Sequence, residues 1–431
     1  MTSIVVLLAC AGPLPNLADA HRDLTGLLPV FPGAEGFGVD TPAGRGGEVL
    51  VVDSLAADGP GSFAAALAVK APRTIVFSVG GVIRLRENLF IDAPFLTVAG
   101  QTAPAPGITL AGAGLEIRAH DVLIQHLRIR PGDDPDGPDP IVRDAIAITA
   151  GDGRDVHGVV LDHLSLSWGV DETLSTWYRG VRDVTVSNCL ISESLDDSLH
   201  PEGPHGKGVL IGDHTRRFAL LRSLLAFNPD RNPIVKGDAT ALVANVWAHD
   251  PDRWPVTLFD RERAGPSLLT LRSSVFTAGP DTPPDHATVL VDRSMAPGTA
   301  IFLDDLQSWD IVGDDPWVGV DVVSPRDEVR VDAPPVSVTP LTLLPASALP
   351  QALLDTAGAT PARRDAVDAR VIAQLIAGTG AVIDSPREVG GQPTPPETHR
   401  PLTPPPPGDS DGDGYTDVEA WLHALAAEVE R

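Results

Sequence analysis

The sequence predicts an all-β fold, a single-stranded parallel β-helix with a short N-terminal capping helix and a small C-terminal tail. Three observations predict it. From about Val49 to Leu303 the chain is a series of short apolar or alternating runs, among them EVLVVD, RTIVFSV, FLTVAG, GITLAG and DVLIQHLRI, separated by Gly, Pro and Asp. Runs of roughly four to eight residues are strand-length, too short for helices. Second, a pattern apolar-x-polar recurs at Ile124-Gln125-His126, Leu161-Asp162-His163, Val186-Ser187-Asn188, Leu221-Arg222-Ser223, Val243-Ala244-Asn245 and Leu271-Arg272-Ser273. Its third positions are 37, 25, 35, 22 and 28 residues apart. A floor near 22 with variable excess suits a coil of three short strands whose surplus is extruded as loops. Third, the residues eight positions further on are Asp134, Asp171, Asp196, Arg231, Arg253 and Asp281, all charged. In a β-helix they gather along one edge, beside the emerging loops, and predict a polar groove there. A sandwich of irregular hairpins is the competing fold, but it favours shorter turn spacing.

Taken in order, Ile4 to Ala11 (IVVLLACA) is too short to span a membrane and resembles the core of a secretory signal. Ala18-Asp19-Ala20 supplies a small-x-small cleavage pattern, so residues 1–20 are expected to direct export, although the usual basic start is missing. Leu7-Leu8-Ala9-Cys10 also loosely resembles a lipid-attachment site, and a buried first strand is the alternative. Ser62 is placed to cap a helix over SFAAALAV. Residues 31–320 are expected to form the β-helix and 321–392 a packed extension, in which Asp365 to Ile376 reads as helical. Residues 393–408 (PTPPETHRPLTPPPPG) read as a stiff, extended linker. Residues 409–431 open with Asp409, Asp411 and Asp413 in an EF-hand-like pattern that has Ala420 where the final acid belongs, then a short helix. A weak Ca2+ loop and a solvated acidic turn are both open for this segment.

Composition narrows the function. The chain has 431 residues, 58 acids against 32 bases and a formal charge of −26, while hydrophobic residues at 43 % suffice for a large core. The acid excess argues against a dedicated nucleic-acid binder and leaves room for a local basic cleft. Two cysteines, Cys10 and Cys189, exclude a thiol-rich metal site. Lys occurs only at 70, 207 and 236.

Five segments, in order, carry a family resemblance. They are Phe31-Pro32-Gly33-Ala34-Glu35-Gly36-Phe37-Gly38 with Gly44-Arg45-Gly46-Gly47; Gly100-Gln101-Thr102-Ala103-Pro104; Asp162-His163 with Ser167-Trp168-Gly169-Val170-Asp171-Glu172; Arg231-Asn232-Pro233; and Arg364-Asp365-Ala366-Val367-Asp368-Ala369-Arg370. Over about residues 31–390 the chain resembles bacterial secreted pectate-lyase-like proteins of polysaccharide lyase family one. The resemblance implies a right-handed pectin-lyase-like solenoid and β-elimination of polygalacturonate, in which C5 loses a proton and the C4–O bond breaks. It implies Ca2+ as cofactor, an acidic polysaccharide as partner, and no nucleic acid or integral membrane segment. A monomer is expected.

The resemblance also assigns residues. Arg231-Asn232-Pro233-Ile234-Val235-Lys236 is similar to the family's Arg-x-Pro-x-x-Arg segment, which makes Arg231 the proton-abstracting residue and Lys236 a substrate-binding cation. Lys keeps the charge of the second Arg but loses its bidentate fork. Lys207, five before Gly212, resembles the family's substrate-binding Lys and joins Arg231 as the second catalytic cation. Asp144 and Asp171 resemble Ca2+ ligands; the further acid expected four residues on is Ser175, and Glu172 is the candidate substitute. Asp144, Asp171, Lys207 and Arg231 fall in successive coils, so they are predicted to line one groove about 15 Å long. Two alternatives stand beside a lyase: a non-catalytic carbohydrate-binding surface protein, and a β-helical glycoside hydrolase using Asp196 and Asp197.

Overall fold

The computed structural model describes residues 20–323 and 328–431; the proposed export segment therefore lies almost wholly outside the described residues. The body is a right-handed parallel β-helix with three strands to each full coil. Sheet 1 begins Glu48–Val52, Arg73–Phe77, Leu96–Ala99, Val122–Gln125, Val156–Asp162 and Val181–Ser187. Sheet 2 begins Val79–Arg84, Ile108–Ala111, Leu127–Arg130, Ser165–Ser167 and Leu190–Ser192. The long strands Arg216–Ala226, Thr240–His249, Leu268–Thr277 and Ala300–Gln307 turn the corner and serve both sheets. Sheet 3 has nine strands among the described residues, from Leu89–Ile91 through Ile146–Thr149, Glu172–Trp177, Lys207–Ile211, Ile234–Lys236 and Val256–Phe259 to Val320–Val322.

Alternation explains the core. In sheet 1 the pairs Val122/Ile124, Val159/Leu161, Val184/Val186, Phe218/Leu220 and Ala241/Val243 stack in register and point inward. Their neighbours Leu123, Val160, Ala219, Leu221, Leu242 and Ala244 are apolar too, because residues from Ala20 to Ala43 and Val336 to Leu343 cover the outer face. Sheet 2 is likewise covered, by α2 (Leu349–Thr356) and α3 (Ala366–Ala377) over Leu224, Phe227 and Trp247. Strands buried on both faces read as continuous apolar runs. The outer face of sheet 3 is left open over Trp177, Leu210, Ile234 and Lys236, and this is where a groove forms.

The N-terminal end is closed as the residues suggest. Ser62 Oγ accepts from the Ala65 N–H (3.1 Å) and caps α1 (Phe63–Leu67), which buries Phe63, Ala66 and Leu67 over the first coil. α3 starts at Asp365, whose side chain accepts from Asp368 N, and ends at Gly378 in the left-handed region.

The corner between sheets 1 and 2 carries the repeat. His126, His163, Asn188, Arg222, Asn245, Ser273 and Asp305 all adopt left-handed φ, between 46° and 58°. The fourth member is Arg222, not Ser223. The Arg222 guanidinium reaches Glu35 at 2.8 Å, while Ser223 turns inward and its Oγ donates to the Leu221 carbonyl. Polar side chains bond along this corner: Gln101 to Gln125, Gln125 to Asp162, and Ser187 and Asn188 to the Asp162 carboxylate.

The Pro-rich segment is extended and lies against the β-helix. Thr398–His399 pairs antiparallel with Val79-Gly80, the Arg400 N–H donates to Ser78 O (2.8 Å), and Leu402 joins an apolar cluster with Val76 and Ala99. Proline fixes an extended strand, and that strand finds a bonding edge. It leads to α4 (Asp417–Glu430), whose Val418 and Leu422 pack into the same cluster. Among the described residues no helix is long and apolar enough to cross a membrane.

Candidate active site

A loop and a turn position the site at the N-terminal ends of neighbouring sheet 3 strands. Loop 131–143 is held from within by Arg143, a buried side chain that donates to the carbonyls of Pro138 (2.9 Å), Gly132 (3.2 Å) and Asp134 (2.8 Å). The turn before Glu172 needs Gly169, where a Cβ would stand 2.5 Å from the Glu172 carbonyl. Trp168 and Arg370 both donate to the buried carboxylate of Glu193, tying this turn to α3. Nearby, Arg130 donates to Asp365 and Asp368, so the Arg364–Arg370 motif fastens the extension to sheet 2 and lies outside the groove.

The register lines up the chemistry. Leu174 pairs with Ile146, which places Asp144 beside Glu172; Glu172 pairs with Lys207, and Lys207 bridges to Asp230. Between Asp230 and Ile234 the chain has one residue more than between Lys207 and Leu210. That bulge lifts Arg231 into left-handed φ (61°), a strained setting for a non-glycine residue. Its Nη1 donates to Glu172 Oε1.

Asp144, Asp171 and Glu172 each bring a carboxylate oxygen within 4.8 Å of the others. Asp144 accepts from the Glu172 N–H (3.2 Å) and from Ser175 Oγ, and Trp177 Nε1 in turn donates to Ser175 Oγ (2.9 Å). Ser175 therefore orients Asp144 where the sequence pattern leads one to expect another acid. Glu172 is 1 % exposed and its Oε2 has no hydrogen-bond partner. Burial pushes its carboxyl up to about 8, with Arg231 opposing and Asp171 adding. Burial, Glu172 and Asp171 likewise raise Asp144 well above the usual carboxylate range. Three mutually repelling carboxylates, one with an orphaned buried oxygen, fit a hard divalent cation with oxygen ligands.

The cations surround this cluster unequally. Burial lowers the Lys207 ammonium, against the pull of Asp230 at 2.9 Å. Lys236 lies on the open face of sheet 3, already paired with Glu262 (2.9 Å). With Trp177, Arg231 and Arg253, both lysines line a groove of about 380 Å³. Asp230 and the stacked rings of His200 and His205 carry no signal in the sequence pattern. His205 Nε2 sits 3.1 Å from Asp171, and the rings are 3.7 Å apart. The charged residue eight past each corner had pointed to Arg253; counted from Arg222 it points to Asp230. Asp196 accepts from the Gly206 N–H (3.1 Å) within its own loop, and Asp197 is exposed. Asp409, Asp411 and Asp413 converge on the surface, and Asp409 and Asp411 cap N–H groups of their own loop.

No family model matches the chain. Over 410 residues it is 32 % identical to a "probable pectate lyase C" of Aspergillus flavus, an alignment covering 92 % of this chain and 88 % of that protein. The chain belongs to the pectate lyase C family. A second member, from Aspergillus fumigatus, is 34 % identical over 272 residues, 62 % of this chain and 59 % of that one. Among solved structures, a mutant Bacillus subtilis pectate lyase superposes with a TM-score of 0.55 at 12 % identity, over 78 % of this chain and 98 % of that one. The major allergen from cedar pollen gives 0.53 at 17 %, over 74 % and 91 %. These two likenesses concern the fold, a parallel β-helix.

Proposed function

We propose that the protein is a secreted, Ca2+-dependent lyase that cleaves polygalacturonate by β-elimination. One observation carries the reading. In a chain of the pectate lyase C family, Arg231 stands directly against the Asp144–Asp171–Glu172 cluster on the open face of the β-helix. Those three carboxylates would hold a Ca2+ ion, which would supply positive charge to neutralise the substrate carboxylate and acidify the neighbouring C5–H.

The protein's residues do the rest. Lys207 and Lys236 engage further uronate carboxylates along the groove, and Arg253 adds a cation at its side. Arg231 takes the C5 proton; the C5–H electron pair becomes the C4–C5 double bond as the C4–O bond breaks, and the leaving oxygen is protonated from solvent. Arginine is almost wholly protonated near neutral pH, with a pKa above about 12, so only its scarce neutral form can take the proton. His205 holds Asp171 in place from the loop side. An extracellular polymer is too large to enter a cell, which accords with export.

The test is incubation with polygalacturonate and Ca2+, reading the ultraviolet absorbance of the 4,5-unsaturated product with and without chelator. The reading expects absorbance that chelation abolishes and Ca2+ restores. Reducing ends without absorbance mean hydrolysis, and binding without either means a non-catalytic protein; each overturns the proposal.

A further inference from the structure

On the far side of the β-helix from the groove, the repeat corner meets the C-terminal helix. His126 and His163 are consecutive corner residues with stacked rings, centroids 5.1 Å apart. Glu430, in the last turn of α4, reaches over both: its Oε1 lies 3.5 Å from His126 Nε2 and 3.7 Å from His163 Nδ1. One ligand atom from each of the three residues lies within 4.8 Å of the others. They come from two coils and from a helix more than 250 residues away in sequence.

The hydrogen bonding makes this more than a chance meeting. His126 Nδ1 is 2.7 Å from the Ala359 carbonyl, an acceptor only, so Nδ1 carries the proton. Nε2 then presents a lone pair. The ring is 0 % exposed and Nε2 has no hydrogen-bond partner, yet it faces a carboxylate oxygen. Two acceptors facing each other in a buried place repel unless a positive charge sits between them. Asp162 lies 2.9 Å from His163 Nδ1, the nitrogen that also faces Glu430, and is itself buried and held by Gln125, Ser187 and Asn188. A carbonyl on Nδ1 of His126, with Nε2 facing Glu430, is the outer arrangement that orients a metal-bound histidine, and the Asp162 carboxylate adds negative charge beside His163 Nδ1.

We propose that His126, His163 and Glu430 form a second metal site, separate from the catalytic one, that fastens α4 to the β-helix. Two imidazoles and one carboxylate suit a borderline ion such as Zn2+, whereas Ca2+ prefers an all-oxygen shell. The adjoining cavity of about 680 Å³, lined also by Arg222, Asn188 and His423, gives the ion access from solvent. The site's work is structural: Val418 and Leu422 anchor the start of α4, and the ion secures its far end.

The test uses the full chain with Zn2+ alone, and Glu430→Gln as the variant. Glu430 is partly exposed and takes no part in the groove, so the variant folds and keeps lyase activity. Wild type is expected to bind one more Zn2+ equivalent by calorimetry than Glu430→Gln, or the same equivalent at least ~10-fold more tightly. Zn2+ should also slow amide exchange across residues 417–430 in wild type and leave the variant unchanged, while Ca2+ does neither. Equal Zn2+ stoichiometry and affinity in the two proteins, or unchanged exchange in α4 on adding Zn2+ to wild type, overturns the proposal.

Discussion

Glu172→Gln removes a buried negative charge while keeping the shape of the side chain and an acceptor for Arg231. The wild-type carboxyl is pushed up to about 8 in the ion-free protein, because burial and Asp171 outweigh Arg231. An ion must bind the deprotonated form, so apparent affinity falls as the pH drops below that value. From pH 8.5 to 6.5 the fall is about 25-fold for a single carboxyl titrating near 8, or about 1.9 kcal/mol. Asp144, also raised, adds to the slope. The sign for stability runs the other way. A carboxyl whose folded pKa lies above its ordinary 4.5 favours the folded state in acid. That contribution disappears as the pH climbs from 4.5 towards 8, so chelated wild type should lose melting temperature across that window. Ca2+ should restore it. Calorimetric titration with Ca2+ at several pH values reads the first effect and thermal melts read the second. Glu172→Gln should bind more weakly at pH 8.5 and show a shallower pH slope. A flat wild-type affinity, or the same slope in both proteins, refutes the assignment of Glu172 as a raised, ion-binding carboxylate.

Other predictions follow from the same contacts. Asp368→Asn weakens one partner of the buried Arg130 and disturbs the acceptor of Ser165 Oγ; because Arg130 keeps Asp365, the cost is about 1.5–3 kcal/mol, read as a lower urea midpoint with unchanged slope. Lys207→Met strips one cation from the groove, and losing a charge-assisted hydrogen bond should lower kcat/KM by roughly 10–100-fold in steady-state kinetics on polygalacturonate. An unchanged kcat/KM removes Lys207 from substrate binding.

The fold was largely legible because a solenoid repeats its demands. Each coil must fill one cross-section, so apolar pairs such as Val159/Leu161 and Val184/Val186 recur in step, and the corner asks for a residue that tolerates left-handed φ. Asn and His meet that demand; Arg222 escaped because its outward salt bridge with Glu35 compensates for a poor corner residue, and Ser223 beside it fits the pattern better. The docking of residues 393–408 was hidden for a different reason. Proline content predicts extension, but whether an extended chain stays free or meets an edge depends on Val79-Gly80, more than 300 residues away. In the site, Arg231, Lys207 and the acids were reached through the resemblance to the family's motifs. Asp230, His200 and His205 were not, because loops extruded between strands carry no period and their side chains meet only after the coils stack.

The central claim is that Arg231, set against the acid cluster, takes the C5 proton. Its most direct test is the initial rate of unsaturated-product absorbance for Arg231→Lys, with folding and Ca2+ affinity checked in the same preparation. The account predicts a rate lower by about 10²–10⁴-fold, the usual worth of a positioned base, with the ion still bound. A variant that binds Ca2+ and turns over polygalacturonate as fast as wild type contradicts it.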